Sequence, residues 1–230
     1  QNESIKSVDK IIITASGGPF LNHKLNELKN VRSKDAVKHP NWNMGKKISI
    51  DSATLMNKVF EIIEAQRIFK IDINKFEIFI HPKSYIHSLI KFINGQIKIL
   101  AHDADMKIPI FNSIYEKKIK KIHTKKIDIN LINNINLTKV SLARYPSIKI
   151  LNKISNKNTL FETVLISAND ELVDLYIKNK ITFLEINKFL LKILKFKKYS
   201  NLTNKMPKKI SDIINLSEEV RLKTRKVCIR

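Results

Sequence analysis

Glycine is scarce in this chain, and its scarcity constrains the fold more than any other feature of the sequence. Only four glycines occur among 230 residues, and they are Gly17, Gly18, Gly45 and Gly95. A dinucleotide-binding turn of the GxGxxG type needs three closely spaced glycines, for the tight turn and for close approach to the pyrophosphate. A P-loop is excluded as well, because no two of these glycines lie five positions apart. The sequence therefore predicts that any nucleotide is held by another segment.

The composition is that of a globular protein rather than a disordered one. Hydrophobic residues make up 43% of the chain and charged residues 28%. No apolar run approaches the roughly 18 residues of a membrane span. The first ten residues are polar and mixed in charge, unlike a signal peptide. Cys228 is the single cysteine, which fits a reducing compartment and leaves no cysteine pair for zinc.

The net charge of +22, from 43 basic and 21 acidic residues, invites a nucleic-acid-binding interpretation. The basic residues are, however, spread along the whole chain, with one dense stretch at 117–126. A solvated basic linker accounts for that stretch more simply. The positive field would also attract an anionic, phosphorylated substrate.

Short β-branched and apolar runs predict the strands of a mixed sheet. They occur at residues 10–14, 48–50, 76–80 and 88–93. The first run ends in a Gly17-Gly18-Pro19 turn, and Asn94-Gly95 predicts a hairpin leading into residues 96–101. Residues 24–38 predict a weak helix followed by a loop.

Helical patterns dominate the second half of the chain, at residues 160–178, 185–196 and 217–227. A further long helix is predicted from Ala53 to about Phe69, with Ser52 as its N-cap. We therefore predict an α+β fold. Residues 1–115 would form a domain with a mixed sheet, 116–146 a basic linker and 147–230 a small all-α domain.

The predicted start of the helix at Ser52 favours anion binding, because free N–H groups and the helix dipole meet there. Ser52, Asn57 and Lys58 would add a hydroxyl, an amide and a positive charge. Ser16, in the glycine turn, and His39 are candidates for further donors, which together make a phosphate pocket without a P-loop. The alternative is a capped surface helix with a solvated polar face.

Glu61 lies one turn beyond Asn57 on the same predicted helix face. A carboxylate there could bind a divalent metal or act as an acid or base. The alternative is an ion pair with Lys58, three residues earlier. A hard cation needs several oxygen ligands, so one carboxylate is a poor metal site; Asp51 and Glu64 are lesser candidates for support.

Three other residues raise alternatives that the sequence leaves open. Trp42, between Pro40 and Gly45, suits a lid that closes over a ligand, or a loop pinned by a buried ring. His81 and His87 flank a loop without an obvious metal spacing, and we interpret His81 as a structural, hydrogen-bonded residue. No G-x-S-x-G motif supports nucleophilic serine catalysis.

Several motifs together resemble the 1-deoxy-D-xylulose 5-phosphate reductoisomerase family. The longest runs from His39 to Lys58, followed by Glu61. The others are Ala15–Phe20, His81-Pro82 with Ser84 and His87-Ser88, Asp105-Met106 with Ile108-Pro109-Ile110, and, more weakly, Ser167-Ala168-Asn169-Asp170-Glu171.

The resemblance implies roles for particular residues. Ser16, Ser52, Asn57 and Lys58 would hold the substrate phosphate, with His39 close by. Glu61 would be one of three acidic ligands of Mg²⁺ or Mn²⁺ and, with His39, a catalytic residue that also touches substrate. The loop of His39, Trp42 and Met44 would close on the substrate. Gly45 would lie at the nucleotide and Met106 near the nicotinamide.

The resemblance also implies an activity, the NADPH- and metal-dependent conversion of 1-deoxy-D-xylulose 5-phosphate to 2-C-methyl-D-erythritol 4-phosphate in isoprenoid synthesis. The family's NADPH domain and two further metal carboxylates match nothing in this chain, so the chain alone is expected to bind phosphate without reducing it. A homodimer when full length, a bacterial cytoplasm or a plastid-type organelle, and no nucleic-acid or membrane partner are also implied. Two alternatives stay open: a non-redox phosphosugar-binding remnant and a basic nucleic-acid-binding protein.

Overall fold

A five-stranded mixed sheet organises the first half of the chain in the computed structural model, which describes residues 4–36, 45–115 and 120–228. Its strands are β1 (Val8–Ala15), β2 (Phe76–Ile80), β3 (Ile86–Phe92), β4 (Ile97–Ala101) and β5 (Thr138–Lys139), in the order β4-β3-β1-β2-β5. Only β1 and β2 run parallel; the other neighbouring pairs are antiparallel. The mixed sheet of the predicted α+β fold is confirmed.

The predicted strands at residues 10–14, 76–80 and 88–93 correspond to β1, β2 and β3. The central strand β1 pairs on both sides, with Ile11 opposite Phe76 in β2 and opposite Ile90 in β3. The Asn94-Gly95 hairpin is also confirmed, because the Phe92 N–H donates to the Gln96 carbonyl over 2.9 Å. Gly95 takes a positive φ of 86° there, which only glycine adopts readily.

Nine helices occupy the described part of the chain: α1 (Ser33–Ala36), α2 (Lys46–Thr54), α3 (Met56–Phe69), α4 (Lys107–Ile114), α5 (Ile129–Asn133), α6 (Leu160–Ile177), α7 (Phe183–Ile193), α8 (Lys197–Ser200) and α9 (Ile210–Cys228). The three predicted C-terminal helices are confirmed as α6, α7 and α9. Capping boxes begin α6 at Thr159 and α7 at Thr182. Helix α9 begins seven residues before the predicted Ser217. None of the described helices is long and apolar enough to span a bilayer.

The predicted strand at residues 48–50 is wrong, because these residues lie inside helix α2. Three alternating residues are too few to distinguish a strand from one helical turn. Tertiary packing of Ile50, which is fully buried in a cluster with residues of α6, favours the helix. Local bonds support it, because the Ser49 N–H and Oγ both donate to the Gly45 carbonyl, over 3.1 and 3.0 Å.

The predicted helix start at Ser52 is also wrong. Ser52 lies in the last turn of α2, and the helical conformation is interrupted at Leu55 before α3 begins at Met56. The predicted end of this helix at Phe69 is confirmed. The predicted helix within residues 24–38 appears as a 3₁₀ segment, Leu25–Asn30, followed by the short α1.

The larger buried cluster joins α2 and α3 to the C-terminal helices. Ile50, Met56 and Val59 pack in it together with Phe161 and Leu165 of α6, and all five are fully buried. The proposed division at 115 and 146 stays a prediction; the cluster contains residues from both sides of it.

A second buried cluster lies against the sheet and includes Ile11 and Phe76 from the strands. Leu55 and Ile62 belong to this cluster, whereas Met56 and Val59 belong to the first. Helix α3 is therefore packed on two sides, and the position of its first turn is fixed by both clusters.

Candidate active site

One cavity of about 620 Å³ brings together every predicted site residue that the structure describes. These residues are Ser16, Gly45, Ser52, Asn57, Lys58, Glu61 and Met106. His39, Trp42 and Met44 lie outside the described residues, so their predicted roles stay predictions. Cavities of about 630 and 660 Å³ occur elsewhere, but they contain none of the predicted site residues.

Helix α2 forms one wall of the cavity. Gly45, Ile48 and Ser52 all line it, and their spacing of three and four residues places them on one helix face. The Gly17-Gly18 turn crosses the end of this helix. A Cβ on Gly18 would lie 2.8 Å from both the Ala53 Cα and the Ser52 carbonyl oxygen. Only glycine lets the turn come this close, which places it against the helix turn that carries Ser52.

The glycine turn also orients Ser16. Its Oγ accepts a hydrogen bond from the Gly18 N–H over 3.2 Å. Gly18 has a φ of 70°, so this bond depends on a backbone shape that L side chains rarely adopt. Ser16 and Ser52 thereby reach the same cavity from segments 36 positions apart in the sequence.

The break between α2 and α3 places a new helix start at the cavity. Leu55 is fully buried with φ 57° and ψ 18°, and its N–H donates to the Ser52 carbonyl over 3.2 Å. Asn57 and Lys58 then lie in the first turn of α3. The anion-favouring helix start that the sequence predicted thus exists, although at Met56, and Ser52 lines the cavity without capping the helix.

Lys58 and Glu61 form a close ion pair on the cavity wall. Lys58 Nζ lies 2.7 Å from each of the two Glu61 carboxylate oxygens. The Lys58 side chain is 14% exposed and that of Glu61 is 40% exposed. The ion pair that the sequence left open as an alternative is therefore present, and both residues face the cavity as well.

The described residues do not form a metal site by themselves. They contain no group of three His, Cys, Asp or Glu side chains placed to hold a metal ion. Glu61 supplies a hard carboxylate ligand of the kind that Mg²⁺ prefers, but only one. Neither lesser candidate adds a ligand: Asp51 is buried against α6, and Glu64 is exposed outside the cavity.

The cavity also contains Thr14, Ser84, His87 and His102, to which the sequence analysis gave no role. Thr14 lies two positions before Ser16, and side-chain alternation along a strand would have placed both on one face. His102 directly follows β4, whose register with β3 sets Ala101 opposite Ile86. That register brings His102 to His87, but pairing between strands could not be derived from the sequence.

The His87 and His102 rings stack with their centroids 3.7 Å apart and an angle of 16° between their planes. His87 Nε2 lies 3.0 Å from the His102 carbonyl oxygen, which can only accept, so Nε2 carries the proton. Burial lowers the pKa of His87 to about 4. His87 is therefore neutral near pH 7.

His81 is buried and hydrogen-bonded, as the structural interpretation of this residue expects. It is 1% exposed, and its Nδ1 lies 3.2 Å from the Asn136 carbonyl oxygen. Its backbone N–H donates to the Ala15 carbonyl over 2.7 Å, which ties the end of β1 to the loop after β2.

Comparison with known proteins gives a consistent result. The family model described as "1-deoxy-D-xylulose 5-phosphate reductoisomerase C-terminal domain" matches residues 1–69, and that described as "DXP reductoisomerase C-terminal domain" matches residues 102–223. The reductoisomerase of Pelagibacter ubique is 53% identical over 222 residues, covering 96% of this chain and 57% of the relative. That of Sulfurihydrogenibium is 36% identical, with 94% and 58% covered.

Solved structures agree with this. The Zymomonas mobilis reductoisomerase in complex with NADPH superposes with a TM-score of 0.85 at 32% identity, covering 98% of this chain and 57% of that one. A DOX-P reductoisomerase in complex with NADPH, fosmidomycin and magnesium gives 0.83 at 29% identity, with 96% and 54% covered. The chain thus spans little more than half the length of these relatives. Within that span, motif, fold and cavity agree, and the chain belongs to the 1-deoxy-D-xylulose 5-phosphate reductoisomerase family.

Proposed function

We propose that this chain supplies the phosphate-binding wall of an enzyme that converts 1-deoxy-D-xylulose 5-phosphate to 2-C-methyl-D-erythritol 4-phosphate with NADPH and Mg²⁺ or Mn²⁺. One observation carries the proposal: Ser16, Ser52, Asn57, Lys58 and Glu61 converge on a single cavity although they come from separate elements. The relatives that bear this activity in their names match the chain over nearly its whole length.

The phosphate is held by complementary donors. Ser16 and Ser52 offer hydroxyls, Asn57 an amide and Lys58 an ammonium group. Asn57 and Lys58 lie in the first turn of α3, where the helix dipole also favours an anion. Hydrogen bonds between an ionised donor and phosphate are about twice as strong as neutral ones, so Lys58 contributes most to affinity.

Glu61 contributes one ligand to the divalent cation of the whole enzyme. The remaining oxygen ligands come from outside the residues described, since these offer no complete site. When bound, such a cation acts as a Lewis acid towards substrate oxygens. The part of Glu61 is to hold a negative charge within one helical turn of the phosphate donors.

Gly45 is proposed to lie at the nucleotide and Met106 near the nicotinamide, and both line the cavity. A Cβ on Gly45 would meet nothing within 4 Å among the described residues, so packing against them does not require a glycine there. Met106 is 53% exposed at the start of α4 and offers an apolar side chain. NADPH supplies the hydride, while these residues exclude water and orient the ring. His39 and Trp42 complete the proposal as the loop that closes on the substrate.

The proposal extends to the assembly and location of the whole protein. A homodimer follows from the resemblance of the motifs alone. A bacterial cytoplasm is supported by the bacterial relatives and by the single cysteine.

Two substitutions in the complete enzyme test these roles. Glu61→Gln should lower kcat at least about a hundredfold, because losing a metal ligand weakens the stabilisation of the transition state by the metal, which amounts to several kcal/mol. Ser52→Ala should instead raise KM about tenfold or more, the loss expected for a hydrogen bond to a charged group. NADPH consumption gives both constants, and calorimetry gives Mn²⁺ and phosphosugar affinity separately.

Glu64→Gln is the matched control, since Glu64 lies on the same helix but outside the cavity. It should leave kcat, KM and Mn²⁺ affinity unchanged. A Glu61→Gln enzyme with normal rate and normal Mn²⁺ affinity would sink the metal assignment. Phosphosugar binding without any NADPH consumption by the complete wild-type protein would instead favour the non-redox phosphosugar-binding alternative.

A further inference from the structure

A buried polar network lies on the face of α2 next to the one that lines the cavity. Asp51 is fully buried, and its Oδ1 accepts a hydrogen bond from Asn169 Nδ2 of α6 over 2.8 Å. Lys47 Nζ lies 3.0 Å from Asp51 Oδ2 and 3.0 Å from Asp170 Oδ1. Three charged groups and one amide therefore join α2 to α6.

The network continues from α6 to α9. Arg221 lies 2.9 Å from Asp170, and Arg225 lies 2.6 Å from Glu171, which is only 2% exposed. Asn169, Asp170 and Glu171 belong to the Ser167–Glu171 motif, which has no part in the proposed site.

Burying Asp51 has a free-energy cost. Burial raises the pKa of this carboxyl above its usual value, while Asn169 and Lys47 oppose the shift. Replacing buried ion pairs by apolar residues is often neutral or stabilising, so such pairs are weak evidence for stability. The best-attested use of buried polar groups is to fix one arrangement over its alternatives. The network is thus better suited to placing α2 than to stabilising the chain.

The geometry of α2 shows what such placement achieves. Ile48 and Ser52 are four residues apart and face the cavity, whereas Lys47 and Asp51 are four residues apart and face α6. The helix has only nine residues and ends at the left-handed Leu55. Holding Asp51 therefore fixes both the rotation and the depth of the last turn, which carries Ser52.

We propose that Asn169, acting through Asp51, is a positioning residue that sets the place of Ser52 in the phosphate site. This inference rests on the proposed role of Ser52. Other contacts also hold the last turn of α2: Ser147 Oγ donates to the Thr54 carbonyl over 2.6 Å, and Gly18 packs against Ala53. Loss of the Asn169 hydrogen bond should therefore displace the turn rather than unfold it.

The test is a double-mutant cycle in the complete enzyme, with Asn169→Ala, Ser52→Ala and the combination. Asn169→Ala should raise KM for the phosphosugar about tenfold, with kcat within about twofold, and should weaken binding of inorganic phosphate by a similar factor. Because Asn169 acts through Ser52, adding Asn169→Ala to Ser52→Ala should change KM little further. Should Asn169→Ala not fold, Asn169→Ser carries the same cycle.

Two controls separate positioning from a structural role. Glu171→Gln removes the charge of a side chain on α6 that is about as buried as Asn169 but faces Arg225 rather than α2. It should lower thermal stability without changing KM. Asp51→Asn combined with Asn169→Asp exchanges donor and acceptor and should bring KM back towards the wild-type value.

The outcomes are distinct. Additive effects of Asn169→Ala and Ser52→Ala on KM, or an unchanged KM in Asn169→Ala, would overturn the positioning role while leaving the phosphate site intact. An unchanged KM in Ser52→Ala would overturn the proposed phosphate site itself, and the positioning role with it.

Discussion

Gly18 is the glycine whose missing Cβ would lie against backbone, whereas a Cβ on Gly17 would meet the side chain of Leu21. Gly18 has a positive φ of 70°, and its missing Cβ would lie 2.8 Å from backbone atoms of Ala53 and Ser52. Backbone cannot move aside as the end of a flexible side chain can. Gly95 also has a positive φ, of 86°, but a Cβ there would meet nothing within 4 Å. Both positions have a positive φ, but only at Gly18 would a Cβ collide with neighbouring backbone.

Alanine substitutions at these two glycines should therefore separate the two effects. Gly95→Ala should lower the free energy of unfolding by about 1–2 kcal/mol, the cost of a left-handed L residue. Gly18→Ala should lower it by a further 1–3 kcal/mol or so, because the helix must move. Urea denaturation measures both. Equal losses at the two positions would contradict the close approach of the glycine turn to α2.

Contacts between residues close in sequence are predictable from spacing, whereas contacts that depend on the fold are not. Ser52, Asn57 and Lys58 are close enough in the sequence for helix spacing to group them, whereas only the resemblance of the motifs links Ser16 to them; all four line one cavity. The contact of His102 with His87 cannot be derived from spacing, since it depends on the pairing of β3 with β4. The hydrogen bond of Asp51 with Asn169 likewise joins residues 118 positions apart, so no local sequence pattern predicts it.

Leu55, between α2 and α3, has a left-handed backbone conformation that glycine would adopt with less strain. Leu55 is left-handed at φ 57° and fully buried among the residues beneath the sheet. Lys70, which ends α3, has the same φ of 57° but an exposed side chain. Both residues carry the same backbone strain, and at Leu55 the free energy gained by burying the side chain must be larger than the cost of that strain.

Glycine at these two positions should have opposite effects. Lys70→Gly should raise the free energy of unfolding by up to about 1 kcal/mol, because glycine suits a helix end of this shape. Leu55→Gly should lower it by about 1–4 kcal/mol, since losing a buried leucine outweighs the relief of strain. Thermal or urea unfolding gives the sign. Stabilisation by Leu55→Gly would mean that its side chain contributes little to the core.

At the level of elements, the predictions succeeded where patterns were long. Helices α6, α7 and α9 and strands β1, β2 and β3 repeat their pattern over several residues, and capping residues mark two of the helix starts. The prediction failed at residues 48–52, where a three-residue pattern was interpreted as a strand and a serine as a cap. Packing of Ile50 against the C-terminal helices overrode that local signal.

The whole molecule carries a net charge of +22. Anion binding by this overall charge has to be distinguished from binding in the phosphate site. A general positive field binds polyanions through counterion release, which weakens steeply as salt rises. A cavity with Lys58, serine hydroxyls and a helix start binds through short hydrogen bonds, and salt screens partly buried groups less. Salt dependence therefore distinguishes the two.

Retention of the chain on DNA should fall by a factor on the order of a thousand between about 50 and 200 mM salt, whereas phosphosugar binding should fall far less. Replacing Lys120, Lys121, Lys125 and Lys126 by glutamine should weaken DNA retention alone, and Lys58→Ala should weaken phosphosugar binding alone. Calorimetry and filter binding at matched salt measure both. DNA binding that resists salt would favour the nucleic-acid alternative.

The Lys58–Glu61 ion pair has a thermodynamic consequence for the whole site. Each charge is the present counterion of the other, at 2.7 Å, yet one is proposed for the phosphate and the other for the cation. Whichever ligand arrives first takes one partner and leaves the opposite charge unsatisfied for the second. The two ligands should therefore bind with positive cooperativity, and linkage requires the enhancement to be the same in either order. The ion pair would then couple the two binding events, because the first ligand breaks the pair and leaves the opposite charge for the second.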